Sequence, residues 1–561
     1  GDKDGEADCY MVIGRIYFSF RELQNAYDNF ASAIEIYRSQ KNFESEAEAL
    51  NNIGAVLREN GQFEKAIQNY SLAYSLEPHV KKTSVWARIC NGLGESYLYS
   101  GNLAEAKTKL LEAEKYWQTI PGNEDKVRTN YNLAKLYLAT NETEKGVGLL
   151  NRALTESRQF DNPVLEGDIL ESLADYYYTI GEIPKSLELR RQITNAFQNS
   201  KAFNVTRYRL LVAISKLITT FRAVGDFISA FQYCEVALPI AREEGELRMI
   251  ASLLLSKGEI LSDQGQYTEA ISTFNESLAI VKKENIKDLE PNILESLARA
   301  NYESGNLRQA ESYLTQMAQI LAAQPDEFNE PYLYAGLIIT YTNLQDMNKV
   351  DGLIRLAQSK KLDVGKQEGN LRLGQAIGFA QLMRNQNQEG LETLKNVYDA
   401  TAKIGHEVEK ARVSYILSVA YAKNGDLPNA LRYAQSSHDF WKKIGNDQMD
   451  MKTHLAMGTI SLQLNQMDNA VGNFNSAYGL AQKIDDNKTQ AIALYNIGVT
   501  YRQFQSYPRA IEYFNQSLSV VENLGDTQLQ KNILNDLGDT YEKSGDKKKA
   551  KEFRDKAKKI K

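Results

Sequence analysis

The residues able to do chemistry are few and badly spaced for it. The 561-residue chain has four histidines, His79, His406, His438 and His454. A zinc-protease helix needs two histidines four apart with a glutamate between them. His406-Glu407-Val408-Glu409-Lys410 supplies the first His and an acid, but Lys410 stands where the second His belongs. Cys9, Cys90 and Cys234 are odd in number and far apart, so they imply neither a disulfide framework nor a zinc knuckle. They read as small buried hydrophobes. Gly92-Leu93-Gly94 lacks the preceding strand that a dinucleotide-binding turn requires. There is no phosphate-binding loop and no nucleophile elbow. No catalytic residue, no metal ligand and no cofactor is therefore expected, and the chain reads as a non-enzyme.

Those glycines belong to another pattern. Small residues recur every 40 positions, at Gly14, Gly54, Gly94, Ala134 and Ala174 and again at Gly258, Ala298, Gly378, Ser418, Gly458, Gly498 and Gly538. Ile218 and Ile338 hold the same register and bring the copies to fourteen, with one slip of four residues between Ser186 and Ile218. A fixed period in this range means a stacked array with nearest-neighbour contacts.

Each copy reads as two helices. Helix A carries the small anchor and an aromatic such as Tyr501. A turn glycine follows at Gly61, Gly101, Gly181, Gly225, Gly265, Gly305, Gly425 and Gly545, where a left-handed residue ends a helix. Aspartate after that glycine caps helix B. Helix B then shows apolar spacing of three and four, as in Ala66, Tyr70 and Ala73 or Ala510, Phe514 and Ser517. The slip near 192–205 reads as a longer helix or turn that kinks the array. The expected division is repeats one to five in 1–190, the register slip in 191–206, and repeats six to fourteen in 207–561 with a C-terminal capping helix. In that last helix Ala550, Phe553 and Ala557 share one face among eight Lys and Arg. Gly1-Asp2 stands where Gly405, Gly445 and Gly525 precede their anchors, so the chain reads equally as cut from a longer protein or as starting naturally at a turn.

These residues, Leu-Gly, Tyr, turn Gly, Ala, aromatic and Ala, resemble the tetratricopeptide repeat (TPR) family along essentially the whole chain. The commoner unit is 34 residues. The longer unit here is similar to that of kinesin light chains, Pins-type adaptors and bacterial TPR signalling proteins. The resemblance implies an all-α, right-handed superhelical solenoid of about fourteen hairpins. It also implies a peptide-binding groove lined by helix A.

Reading the family's groove positions onto this chain gives two candidate sites. The late one joins a basic row, Arg372, Arg412 and Lys452, to an apolar floor of Phe379, Leu382, Val419 and Leu462 with Tyr415, Tyr495 and Met383 nearby. It suits an acidic amphipathic segment. The early one gathers Asn51, Asn52, Arg88, Asn91, Arg128, Tyr131 and Asn132, while Asn496 is a late equivalent of Asn52. In the family, groove asparagines bond a peptide backbone. A third feature is acidic: Asp168, Glu171 and Asp175, with Tyr178 beyond. Such faces are commonly just solvated. Met11, Arg15, Leu455 and Thr459 occupy positions where a chaperone-tail carboxylate clamp needs Lys and Asn, which disfavours that ligand.

The net charge of −6 is spread over mixed acids and bases, so nucleic acid is not an expected partner. No run of about 18 apolar residues spans a membrane. The expectation is a cytoplasmic, noncatalytic adaptor or scaffold for a protein or peptide. An exported form stays open, because the chain lacks an initiator Met. The competing readings are the sensory part of a larger signal-transduction protein and a self-assembling homo-oligomer.

Overall fold

The computed structural model describes residues 3–79, 83–118, 120, 122–180, 182–200, 207–323, 331–361, 368–404, 406–522, 524 and 526–560. Gly1-Asp2, Gly181, Gly405, Gly525 and positions 201–206 of the expected slip lie outside the described residues. Among the described residues the secondary structure is α-helical apart from one short 3₁₀ turn at Glu77–His79, and the helices alternate as A and B hairpins. The last copy pairs Thr527–Lys543 with Lys547–Lys559. The chain divides into two compact units, Gly1–Tyr178 with Pro184–Ala213 and Thr179–Ile183 with Ile214–Lys561.

In hairpins such as those of Gly54, Gly258, Gly458 and Gly498 the small anchor faces an aromatic of helix B, while Gly94 and Gly378 face Leu110 and Leu394. A Cβ added at Gly54 would lie 2.7 Å from the Tyr70 ring. At Gly258, Gly458 and Gly498 it would lie 2.5, 2.6 and 2.7 Å from Phe274, Phe474 and Phe514. These rings are fully buried, as are Ala66, Ala270, Ala470 and Ala510 one turn earlier on helix B. The two isoleucine anchors, Ile218 and Ile338, are buried. Where the Gly54, Gly258, Gly458 and Gly498 hairpins hold a ring, theirs hold Cys234 and Ile354, so against those four a larger anchor goes with a smaller partner. Serine can replace alanine further along helix B because its hydroxyl finds a carbonyl. Ser277, Ser437 and Ser517 donate to the carbonyls of Ala251, Ala411 and Ala491 at 2.7, 3.0 and 2.7 Å.

The turn conformation is general even where glycine is missing. Gly61, Gly101, Gly225, Gly265, Gly305, Gly425 and Gly545 have positive φ, and so do Arg21, Asn141, Gln345, Asn385, Asn465 and Gln505 at the same register. Asp226, Asp426 and Asp546 then accept from the backbone N–H of Ser229, Asn429 and Lys549. The last helix buries Ala550 and Ala557. Phe553 stacks on Tyr541 at 5.3 Å, and Arg554, replacing the ring, pairs with Asp539 at 2.6 Å. Cys90 and Cys234 are buried but Cys9 is exposed, so the reading of all three as core hydrophobes fails at Cys9.

Two substitutions separate packing from turn strain. Ala510→Leu overpacks the hairpin and should cost about 1–3 kcal/mol. Gln505→Gly relieves a left-handed side chain and should stabilise by about 0.5–1 kcal/mol. Denaturant unfolding followed by circular dichroism reads both; equal and neutral midpoints would refute the assignment of strain and packing.

Candidate functional site

In the first unit, four of the expected early residues and two of the acidic ones line one cavity of about 590 Å³. Asn51, Arg88, Asn91 and Arg128 line it, and Asp168 and Glu171 stand on the same wall system. Asn132 sits behind, fully buried, donating to the Asn91 side-chain oxygen at 3.1 Å. Asn52 is half-buried beside Asn51 and does not line the cavity. Phe18, Leu23, Val164, Ile193, Phe197 and Val212 give the cavity an apolar wall.

The asparagines and arginines arrive from successive A helices, Phe43–Glu59, Thr83–Tyr99 and Glu124–Ala139, and the acids from the next, Pro163–Thr179. One repeat per row brings the same register together. Arg88 reaches Glu48 at 3.2 Å and Asp125 at 3.9 Å, and Arg128 reaches Glu124 at 3.6 Å. Both arginines stay about one-third exposed, 36 % and 35 %, so these pairs hold them loosely. Arg58 is deeper and pairs with Glu95 at 2.7 Å. Burial opposes the Glu95 charge, but Arg58 outweighs it and holds the carboxyl below its ordinary range. Asp125 and Asp168 behave oppositely: burial pushes both pKa values up, against the pull of Arg88 and Arg209.

The acidic face is thus not simply solvated. Arg209 meets Asp168 at 3.2 Å, and Arg190 meets Asp175 at 2.5 Å and Glu171 at 3.6 Å. Sequence reasoning missed Arg21, Phe197, Tyr208 and Arg209. Arg21 lies over the Tyr208 ring at 4.5 Å and closes one side of the cavity. A turn residue and a residue after a register slip share no repeat position, so no periodicity links them.

The second unit treats the late basic row differently. Arg412 bonds Asp263 at 2.5 Å, 149 positions earlier, and Glu409 at 3.1 Å. Arg372 pairs with Glu409 at 2.9 Å. Lys452 pairs with Glu303, also 149 positions away. Arg222 and Arg299 approach the same Asp263 at 3.0 and 4.0 Å. The row expected as an open cationic edge is therefore neutralised by the chain's own acids. The cause is curvature: the N-terminal ends of the later A helices meet the C-terminal ends of earlier ones, and Asn446 donates to the Asp263 carbonyl. The floor beside it is also partly used. Leu382 is buried and Met383 exposed, while Phe379, Tyr415, Val419, Leu462 and Asn496 are half-buried. Tyr495 donates to Asp536 at 2.6 Å.

Stacked A/B hairpins around a small-residue seam define a helical-repeat protein-interaction fold. Tetratricopeptide repeat profiles match residues 47–80, 91–161, 249–323, 448–523 and 489–561, and the chain belongs to the tetratricopeptide repeat family. It is similar to tetratricopeptide repeat protein 29 of Trypanosoma brucei brucei, 19 % identical over 46 % of this chain and 54 % of that protein. It is also similar to response regulator aspartate phosphatase A of Bacillus subtilis, 24 % identical over 28 % of this chain and 40 % of that protein. The chain thus spans about half the length, or less, of these curated relatives. Among solved structures, the APC/C hetero-tetramer Cut9-Hcn1 contains a chain with the same fold, at a TM-score of 0.54 and 14 % identity, covering 91 % of this chain and 96 % of that one. Among the described residues no helix is long and apolar enough to cross a membrane.

Asp263 makes the second unit acid-sensitive. Its side chain is 3 % exposed. Burial works against its charge, but Arg412, Arg222 and Arg299 together lower its pKa to about 2. A depressed native pKa gives stability that is present above the unfolded value and lost as pH falls through the native one. The window is therefore from about pH 4 down to about 2, and the contribution is on the order of 2 kcal/mol. Thermal melts across that window should show a shallower acid loss for Asp263→Asn than for wild type. Parallel acid limbs would remove Asp263 as the titrating group.

Proposed function

We propose that the protein is a noncatalytic scaffold that captures a peptide or protein segment in the first-unit cavity. The observation that carries this reading is the meeting, in one space, of amide side chains, loosely held arginines and an apolar wall. Asn51 and Asn91 offer both donors and acceptors, as an extended backbone requires. Phe18, Ile193 and Phe197 accept an apolar side chain. Arg88 and Arg128 are exposed enough to exchange their present acids for a carboxylate on the segment. The volume lies in the range of ordinary ligand sites. An amphipathic segment with an acidic residue beside its apolar anchor fits these groups best. The late row lends less support, because Arg412 and Lys452 are already engaged by Asp263 and Glu303, and a ligand would have to displace those acids.

A cross-linked pull-down from the native source tests this with three proteins. They are wild type, the double variant Arg88→Leu/Arg128→Leu, and the double variant Phe379→Asn/Val419→Asn. Specific partners should vanish from the arginine variant, with recovery reduced at least tenfold, and persist in the other. Loss confined to the Phe379/Val419 variant would move the site to the late groove. Identical partners on all three would refute a groove-based scaffold.

A further inference from the structure

Three ligand-type side chains converge in the second unit at a place no groove reading uses. His438 lies on the helix Leu427–Ile444, Asp450 and His454 on Asp447–Gln463. Their nitrogen and oxygen atoms all lie within 4.8 Å of one another. His438 Nδ1 is 2.5 Å from Asp450 Oδ1, and His454 Nε2 is 3.9 Å from that same oxygen. The three side chains are only 9–14 % exposed. The two imidazoles meet edge to face at 4.6 Å.

The surroundings fix how His454 presents its ring. Asn473, on Met467–Lys483, donates its amide to the Asn469 carbonyl at 2.8 Å. Its oxygen therefore faces His454 Nδ1, at 2.9 Å, and that nitrogen must carry the proton. His454 Nε2 is then the nitrogen turned toward the Asp450 carboxylate, 3.9 Å from Oδ1, a gap that a shared cation would bridge. A histidine whose far N–H is held by an oxygen is also the ordinary arrangement of a metal-ligating imidazole. The repeat does not dictate any of this. One period away the three positions hold Tyr398, Lys410 and Ser414 on one side and Tyr478, Gln490 and Leu494 on the other.

We propose that His438 Nδ1, Asp450 and His454 Nε2 bind one divalent transition-metal ion of the zinc class. Two imidazoles and one carboxylate suit such an ion and leave a coordination position for water. On binding, His438 shifts its proton from Nδ1 to Nε2 to free the coordinating lone pair, and Asp450 exchanges that hydrogen bond for the ion. The ion clamps helix B of one repeat to helix A of the next. The site escapes a search by sequence spacing because only Asp450 and His454 share a helix.

The full chain, stripped of metal with a chelator, is titrated with Zn²⁺ by calorimetry and with Co²⁺ by visible absorption. Wild type should take one equivalent, show the Co²⁺ ligand-field band and melt at a higher temperature with Zn²⁺. His454→Gln should lose at least 100-fold in affinity. Asn473→Leu, which touches no metal, should lose about 10–100-fold through misorientation of His454. Metal-free melting of each variant is compared with wild type, and His438→Gln replaces any variant that falls. Absence of stoichiometric uptake by wild type, or equal uptake by wild type and the ligand variants, overturns the proposal.

Discussion

The distance between helix A and helix B at the small anchor governs this molecule. Gly258 and Phe274, or Gly498 and Phe514, leave no room for a methyl group between them. That contact sets how far apart the two helices of a hairpin stand. It also sets where the next hairpin begins, since each buried ring has the following repeat beyond it. Small errors would accumulate along a stack of repeats, because each repeat is placed by its neighbour. Ile218 with Cys234, and Ile338 with Ile354, set a larger anchor against a side chain smaller than those rings.

Curvature follows from that spacing, and it decides the fate of charge. In the first unit the same register on successive A helices brings asparagine, arginine and acid to a shared space that stays open at about 590 Å³. In the second unit the stack returns near itself, so that Arg412 meets Asp263 and Lys452 meets Glu303. Residues of similar type in corresponding helix positions thus do different work. Arg88 is held by partners one repeat away and remains accessible. Arg412 is held by a partner 149 positions away in sequence and is largely withdrawn from solvent.

The hairpins, their turns and their caps were legible because they are local. Forty-residue spacing, a turn glycine and an aspartate after it carry that information within a few helical turns. The left-handed turn was legible only where glycine marks it; Gln345 and Gln505 take it without that signal. The early cluster was legible in part. Asn51, Arg88, Asn91 and Arg128 follow from register, whereas Arg21 over Tyr208 requires knowing how the stack bends. The late row was readable as a row but not as a paired one, because pairing depends on accumulated curvature. The His438, Asp450 and His454 group was unreadable for another reason: it joins two helices through side-chain direction, and neither helix alone shows a ligand pattern.

The Arg412–Asp263 contact gives the second unit a mechanical character. A stack held only by neighbours lengthens like a soft spring, each interface yielding a little under load. A clasp between segments 149 positions apart adds a threshold, because extension must first part Arg412 from Asp263 and Lys452 from Glu303. Below that force the unit is stiff, and above it the coil pays out. The first unit carries a tie of another kind, the Arg21 guanidinium over the Tyr208 ring, a cation–π contact.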